Sequence, residues 1–131
     1  MNEDYFGKYS WENKTILIVE DDISSIFYLR EVLADTQANI IIIKDGQAAV
    51  DICVHDDTID LVLMDIQIPV LDGYNTTRKI KEARPGLPVI AQTAYAMLED
   101  KKRCLDAGCN DYISKPVEPF ALLDKINLYL K

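Results

Sequence analysis

A single histidine, His55, stands in the whole chain, and the three cysteines, Cys53, Cys104 and Cys109, form no CxxC pair. Sites built from several imidazoles or from paired thiolates are thereby excluded. An odd set of thiols fits reduced, core-filling cysteines in a cytoplasmic protein rather than a disulfide framework. Glycine and proline take five positions each, too few for a fibrous or low-complexity chain. No apolar run approaches the ~18 residues that spanning a bilayer requires, and the N-terminus lacks the layout of a secretion signal, so neither membrane insertion nor export is expected. Basic residues are outnumbered, 14 against 22 acidic, leaving a net charge of −8. Nucleic acid and anionic lipid would be repelled, and direct binding to either is not expected. What remains is an ordinary globular composition, 49% apolar and 27% charged over 131 residues, the length of one domain.

Residues 1–13 show neither helical nor strand periodicity and read as a leader or linker, with Trp11 placed to pack on the domain edge. From Thr15 onward short aliphatic runs alternate with longer amphipathic stretches. The runs TILIV (15–19), NIIII (39–43), LVLM (61–64), LPVIA (87–91) and DYIS (111–114) are candidate strands. Their lack of polar alternation suits a parallel sheet covered on both faces. Candidate helices fall at about 23–36, 46–56, 73–84, 95–108 and 118–130. Ala48, Ala49, Ile52 and Cys53 form one apolar stripe, and Met97, Cys104, Leu105 and Gly108 form another with the Lys101 stem at its margin. Asp45-Gly46 and Asp72-Gly73 carry helix-opening chemistry, and Ala107-Gly108 closes a helix. The pattern is (βα)5, and right-handed crossovers make an α/β fold with a doubly wound, five-stranded parallel sheet the economical architecture.

In open α/β sheets ligands bind beyond the carboxyl ends of the strands. Strand 1 runs into Glu20-Asp21-Asp22, strand 3 into Asp65, strand 4 into Thr93 and strand 5 into Lys115-Pro116, while strand 2 ends in an ordinary turn. With strand order 2-1-3-4-5 these four ends are neighbours. Carboxylates ~5 Å apart repel by ~3 kcal/mol per pair at an effective dielectric near 20, so the group needs positive charge. Hard oxygen ligands without His or Cys suit Mg²⁺, and Lys115 supplies a second cation. Such a pocket can accept a phosphoryl group, with Asp65 at the end of the central strand as the nucleophile.

The segments ILIVEDD, LVLMDIQIPVLDGY, PVIAQTAYA and AGCNDYISKP, in this order and at these separations, resemble the receiver domain of two-component response regulators, a flavodoxin-like fold, over about residues 14–131. The resemblance implies that Glu20 and Asp21 are the acidic pair serving Mg²⁺, that Asp65 is the phosphorylated aspartate, and that Gln67 lends the metal its backbone carbonyl. It further implies Thr93 as the switch hydroxyl that also contacts the phosphate, Tyr112 as the switch aromatic and Lys115 as the phosphate-contacting lysine, with a cis bond before Pro116. Glu20 stands where many members have Asp, which lengthens its reach and places it behind a water. Asp22 then reads as a helix cap. Gln67 and Tyr95 flank the site and are expected to tune the lifetime of the phosphoryl group. The wording QIPVLDGY and the lead-in YSWENKTILIVEDD look most like receivers attached to hybrid sensor histidine kinases.

The resemblance implies a regulatory phosphoacceptor, not a free-standing enzyme, that takes its phosphoryl group from a histidine kinase or histidine phosphotransfer domain and signals through a helix 4, strand 5, helix 5 face. That face is also the expected seat of a homodimer. The expected location is the cytoplasm, including the cytoplasmic portion of a membrane-anchored hybrid kinase. No DNA-binding segment follows the last helix, so output by protein contact or onward relay is expected. Rival chemistries fit less well. A haloacid-dehalogenase-type phosphatase wants an acid at Gln67, and a flavodoxin phosphate loop would not carry Glu20-Asp21-Asp22. The alternative that survives is a pseudo-receiver, an interaction module working without phosphorylation. Taken singly, Tyr112 reads as a core or edge aromatic, Thr93 as a helix start, and His55 as an exposed residue without a role.

Overall fold

The structure is a computed structural model that describes residues 8–94 and 98–130. Ten elements alternate along it: β1 (Thr15–Val19), α1 (Ile23–Leu33), β2 (Asn39–Ile43), α2 (Gly46–His55), β3 (Leu61–Asp65), α3 (Gly73–Ala83), β4 (Val89–Thr93), α4 (Leu98–Ala107), β5 (Asp111–Ser114) and α5 (Pro119–Leu130). The strands pair in parallel in the order 2-1-3-4-5. Every residue of β1, β3 and β4 is buried, which is why those runs carry no polar alternation.

Two apolar layers flank the sheet. Ile16, Ile18, Leu63 and Ile90 meet Leu29 and Leu33 of α1 and Leu122 and Ile126 of α5. Leu17, Val19, Met64 and Ala91 meet Ala49 and Cys53 of α2, Ile80 of α3 and Cys104 of α4. All three cysteines are buried and unpaired; burial pushes the Cys53 thiol up to about 11, so it serves as a small apolar filler.

Local chemistry starts the helices where sequence reasoning placed them. Asp22, Asp45 and Asp72 each cap a helix by accepting a backbone N–H, from Ser25, Ala48 and Asn75 respectively. Gly108, at φ +104°, ends α4 in a conformation side chains avoid. Three details differ from expectation. Strand 4 begins at Val89, two residues late, because Leu87 is tied to the Arg84 carbonyl in a turn and Pro88 has no N–H to give. The first helix stops at Leu33 and continues as a 3-10 turn over Ala34–Thr36, broken by Gln37 at φ +65°. In α4, Leu105 lies outward at 58% exposure while Cys104 and Ala107 take the core; residues 95–97, the expected start of that helix, lie outside the described residues.

The N-terminal lead-in is partly built into the fold. Trp11 is buried, its N–H donates to the Thr36 carbonyl at 2.6 Å, and its ring stacks on Tyr9 with centroids 5.6 Å apart. The Tyr9 hydroxyl in turn donates to Asp124 of α5 at 2.5 Å. His55 is exposed. Among the described residues no helix is long and apolar enough to cross a membrane.

Candidate functional site

Beyond Val19 the chain stays in the sheet for one more residue: the Glu20 N–H donates to the Ile43 carbonyl at 3.0 Å. The Glu20 side chain is fully buried. Its Oε2 accepts the N–H groups of Asp21 and Asp22 at 3.1 and 3.2 Å, and its Oε1 takes Lys115 Nζ at 3.3 Å. Asp21 is exposed, and Asp22 turns away to cap α1.

Asp65 is the last residue of β3, 5% exposed, held by pairing with Gln92 on β4. Its Oδ1 accepts the Gln67 N–H at 3.0 Å, and its Oδ2 lies 3.3 Å from Lys115 Nζ. The loop that follows is tightly folded: the Gly73 N–H returns to the Ile66 carbonyl, and the Leu71 N–H to that of Pro69. That second bond closes a γ-turn around Val70, which takes φ +73° and is 81% exposed. A branched side chain in that region is strained.

Carboxylate oxygens of Glu20, Asp21 and Asp65 all lie within 4.8 Å of one another. Among the described residues one ammonium, that of Lys115, pairs with these acids. Burial pushes the Glu20 carboxyl above the usual glutamate range and Asp65 adds to this, against the opposing pull of the Asp22 amide and Lys115. Burial draws the Lys115 ammonium down, but Asp65 and Glu20 together outweigh it and hold it above the usual lysine value. An excess of negative charge on hard oxygens, with no His or Cys in the cluster among the described residues, fits a divalent cation of the magnesium type.

Thr93 closes β4, is 6% exposed, and its carbonyl accepts the Lys115 N–H at 2.8 Å, tying the fourth and fifth strand ends together. The Lys115–Pro116 bond is cis, as the resemblance implies. Tyr112 is half-buried on β5, its ring centroid 5.1 Å from Lys101 Nζ of α4 and 5.8 Å from Lys125 Nζ of α5. Gln67 is exposed beside Asp65. Tyr95 lies outside the described residues. Glu20, Asp21, Asp65 and Lys115 are thus brought together, while Tyr112 stands apart on the edge strand.

One residue escaped sequence reasoning. Gln92 is 1% exposed, and its amide nitrogen has no hydrogen-bond partner among the described residues. Its only signal is an amide inside the otherwise apolar run VIAQ.

Residues 16–127 match the response regulator receiver domain family. The chain is 36% identical over 107 residues to the sensor protein GacS of Pseudomonas syringae, covering 78% of this chain and 12% of that relative. It is 35% identical over 119 residues to the polar-differentiation response regulator DivK of Brucella ovis, covering 89% of this chain and 96% of DivK. The chain therefore spans about an eighth of the sensor protein but nearly the whole of the regulator. Among solved structures, the receiver domain of the sensor histidine kinase PA1611 of Pseudomonas aeruginosa, with magnesium coordinated in its active site cleft, superposes with a TM-score of 0.82 at 34% identity, over 89% of this chain and 97% of that one. The receiver domain of Ssk1 of Saccharomyces cerevisiae, solved with the histidine phosphotransfer protein Ypd1, gives a TM-score of 0.82 at 31% identity, over 88% of each chain.

Proposed function

Since this chain belongs to the response regulator receiver domain family, we propose that it is a phosphoacceptor that takes a phosphoryl group from a phosphohistidine onto Asp65. The observation that carries this is a buried aspartate at the end of the central strand, 3.3 Å from a lysine and grouped with two further acids. In the step itself an Asp65 carboxylate oxygen bonds to phosphorus as the phosphorus–nitrogen bond to the donor imidazole breaks, leaving an acyl phosphate and a free histidine. Glu20, Asp21, Asp65 and the Gln67 carbonyl would hold Mg²⁺, whose charge offsets that of the phosphoryl oxygens. Lys115 reaches an oxygen of the bound phosphoryl group, and the Gln67 N–H, already on Asp65, helps hold the attacking carboxylate in line.

Two surfaces suit such a role. Beside the site, Ile23 and Phe27 of α1 are 77% and 67% exposed, an apolar approach for a histidine kinase or phosphotransfer partner such as the one Ssk1 binds. On the other flank, Leu98 and Leu105 of α4 and Leu128 of α5 are exposed, on the two helices whose Lys101 and Lys125 lie over the Tyr112 ring, which supports a signalling face and homodimer seat there. The phosphoryl dianion would draw the Thr93 hydroxyl inward and free Tyr112 to rotate, and Gln67 and Tyr95 would set how long it survives hydrolysis. The protein would assist only its own phosphorylation and dephosphorylation. Its buried free thiols fit the cytoplasm, alone or as part of a hybrid histidine kinase.

Incubation with acetyl phosphate and Mg²⁺ should give an acid-labile phosphate on the wild type and none on Asp65→Asn, because an amide is not a nucleophile. Labelling of that variant at the wild-type rate removes Asp65 from its role. An unlabelled wild type would favour the pseudo-receiver.

A further inference from the structure

The sheet has two outer edges, β2 and β5. Along β2 the backbone groups alternate between the neighbouring strand and open space. The Asn39 N–H donates to the Lys14 carbonyl at 2.8 Å, and the Ile43 carbonyl accepts the Glu20 N–H at 3.0 Å. In the unbroken parallel register from Thr15↔Asn39 to Val19↔Ile43, these bonds commit Asn39, Ile41 and Ile43 to β1. The N–H and carbonyl groups of Ile40 and Ile42 therefore point away from the sheet, and they have no partner among the described residues.

Exposed sheet edges are ordinarily protected by a charged side chain, a proline or a bulge. β2 reads NIIII and has none of these. Its isoleucines are half-buried, Ile41 and Ile43 against the α2 side of the core, Ile40 and Ile42 against the α1 side. A strand added here covers apolar surface on both layers at once.

The edge is complementary to itself. A two-fold axis at Ile41 lays a second β2 alongside in antiparallel, so that Ile40 faces Ile42 of the second copy and each such pair exchanges N–H···O bonds in both directions. The two pairs engage every free group of Ile40 and Ile42, and Ile41 meets its own equivalent between them. Charge favours the same occupant. At a net −8 two copies repel over most of their surface, yet residues 39–43 carry no charge. In this register Lys44 comes opposite Ala38, just beyond which the chain carries Asp35, so the rim of the seam is of opposite sign.

We infer that β2 is the seat of a symmetric dimer, in which a second copy of this chain pairs along residues 40–42 and joins two sheets into one. A strand of five residues makes a small contact, so the association is weak and concentration-dependent. Because β2 and β5 lie at opposite edges, the seam leaves the α4–β5–α5 face free.

The test uses the full chain, unphosphorylated and without metal, so its failure leaves the Asp65 proposal untouched. Sedimentation follows the oligomeric state against concentration, and NMR locates the contact. In a mixture of labelled and unlabelled chains, an isotope-filtered experiment should show the Ile41 Hα of one copy against the Ile41 Hα of the other. Amide exchange at Ile40 and Ile42 should slow as concentration rises, while that at Ile41 and Ile43, bonded within the sheet, stays slow throughout. Ile42→Pro removes an outward donor from each copy without touching the β1 ladder, and should weaken dimerisation roughly tenfold or more. A monomer up to millimolar concentration would overturn the dimer and leave the edge to an extended strand of another protein. A dimer whose contacts fall on α4 and α5 instead, or a folded Ile42→Pro variant that dimerises as tightly as the wild type, would overturn it equally. The sedimentation and NMR outcomes are read on the wild type, so they decide the matter whether or not the variant folds.

Discussion

Glu20 is an acid with no exposed surface, set beside a second buried acid and relieved by one lysine. Because burial, and then Asp65, raise its carboxyl above the ordinary 4.5, the folded chain holds that proton more tightly than the unfolded one. The linked stability is fully present below the ordinary value and is lost as pH rises through the raised one. Lys115 is shifted upward from 10.5, so its contribution lasts throughout that window. Without divalent metal, urea melts should therefore show stability falling as pH is raised above the glutamate range, and Glu20→Gln should flatten that slope. An equally steep slope in the variant would mean that another group carries it. Glu20, Asp21, Asp65 and Lys115 were legible in the sequence because each closes or follows an aliphatic run, and strand ends converge by topology. Gln92 was not, because which face of β4 it takes, and that its amide nitrogen is left without a partner among the described residues, depend on how α1 and the β5–α5 loop seat against the sheet.

At the scale of elements, the loop after β3 is gripped from two sides. The Gly46 N–H donates to the Pro69 carbonyl at 3.1 Å, and the Thr76 hydroxyl donates to the Leu71 carbonyl at 2.9 Å. A methyl group on Gly46 would collide with both the Leu71 carbonyl oxygen and the Thr76 hydroxyl. Backbone cannot yield there cheaply. Gly46→Ala should cost at least ~3 kcal/mol, seen as a drop in thermal midpoint of roughly 10 °C, whereas Gly86→Ala, with open space around it, should change it little. A small loss at Gly46 would show that the loop is softer than its contacts imply. In the sequence Gly46 reads only as the residue after a helix cap; its closeness to Leu71 belongs to the packing of α2 against the β3–α3 loop. Strands β1, β2 and β5 were legible to the residue because aliphatic runs bounded by polar turns leave little choice of register. Leu105 was misplaced because a stripe drawn on α4 admits either of two adjacent residues, and Cys104 is the one that reaches the core.

Across the whole molecule the sheet has two ends with different work. The carboxylates gather where β1 and β3 finish, while Trp11 is buried at the opposite end, bonded to the Thr36 carbonyl just ahead of β2. β1 runs five residues between them, so at ~3.3 Å per residue indole and carboxylates are separated by roughly 16 Å. Trp11 is the only tryptophan in the chain, and it is an optical witness with a restricted view. Its emission should move to longer wavelength when the chain unfolds in urea, yet stay unchanged in position and intensity when Mg²⁺ is titrated into the folded protein. A metal-dependent quench would mean that the sheet transmits strain along its full length. If emission is silent, the dye that reports occupancy must be placed beside Asp65 by design, since nature has put this fluorophore where it sees only folding.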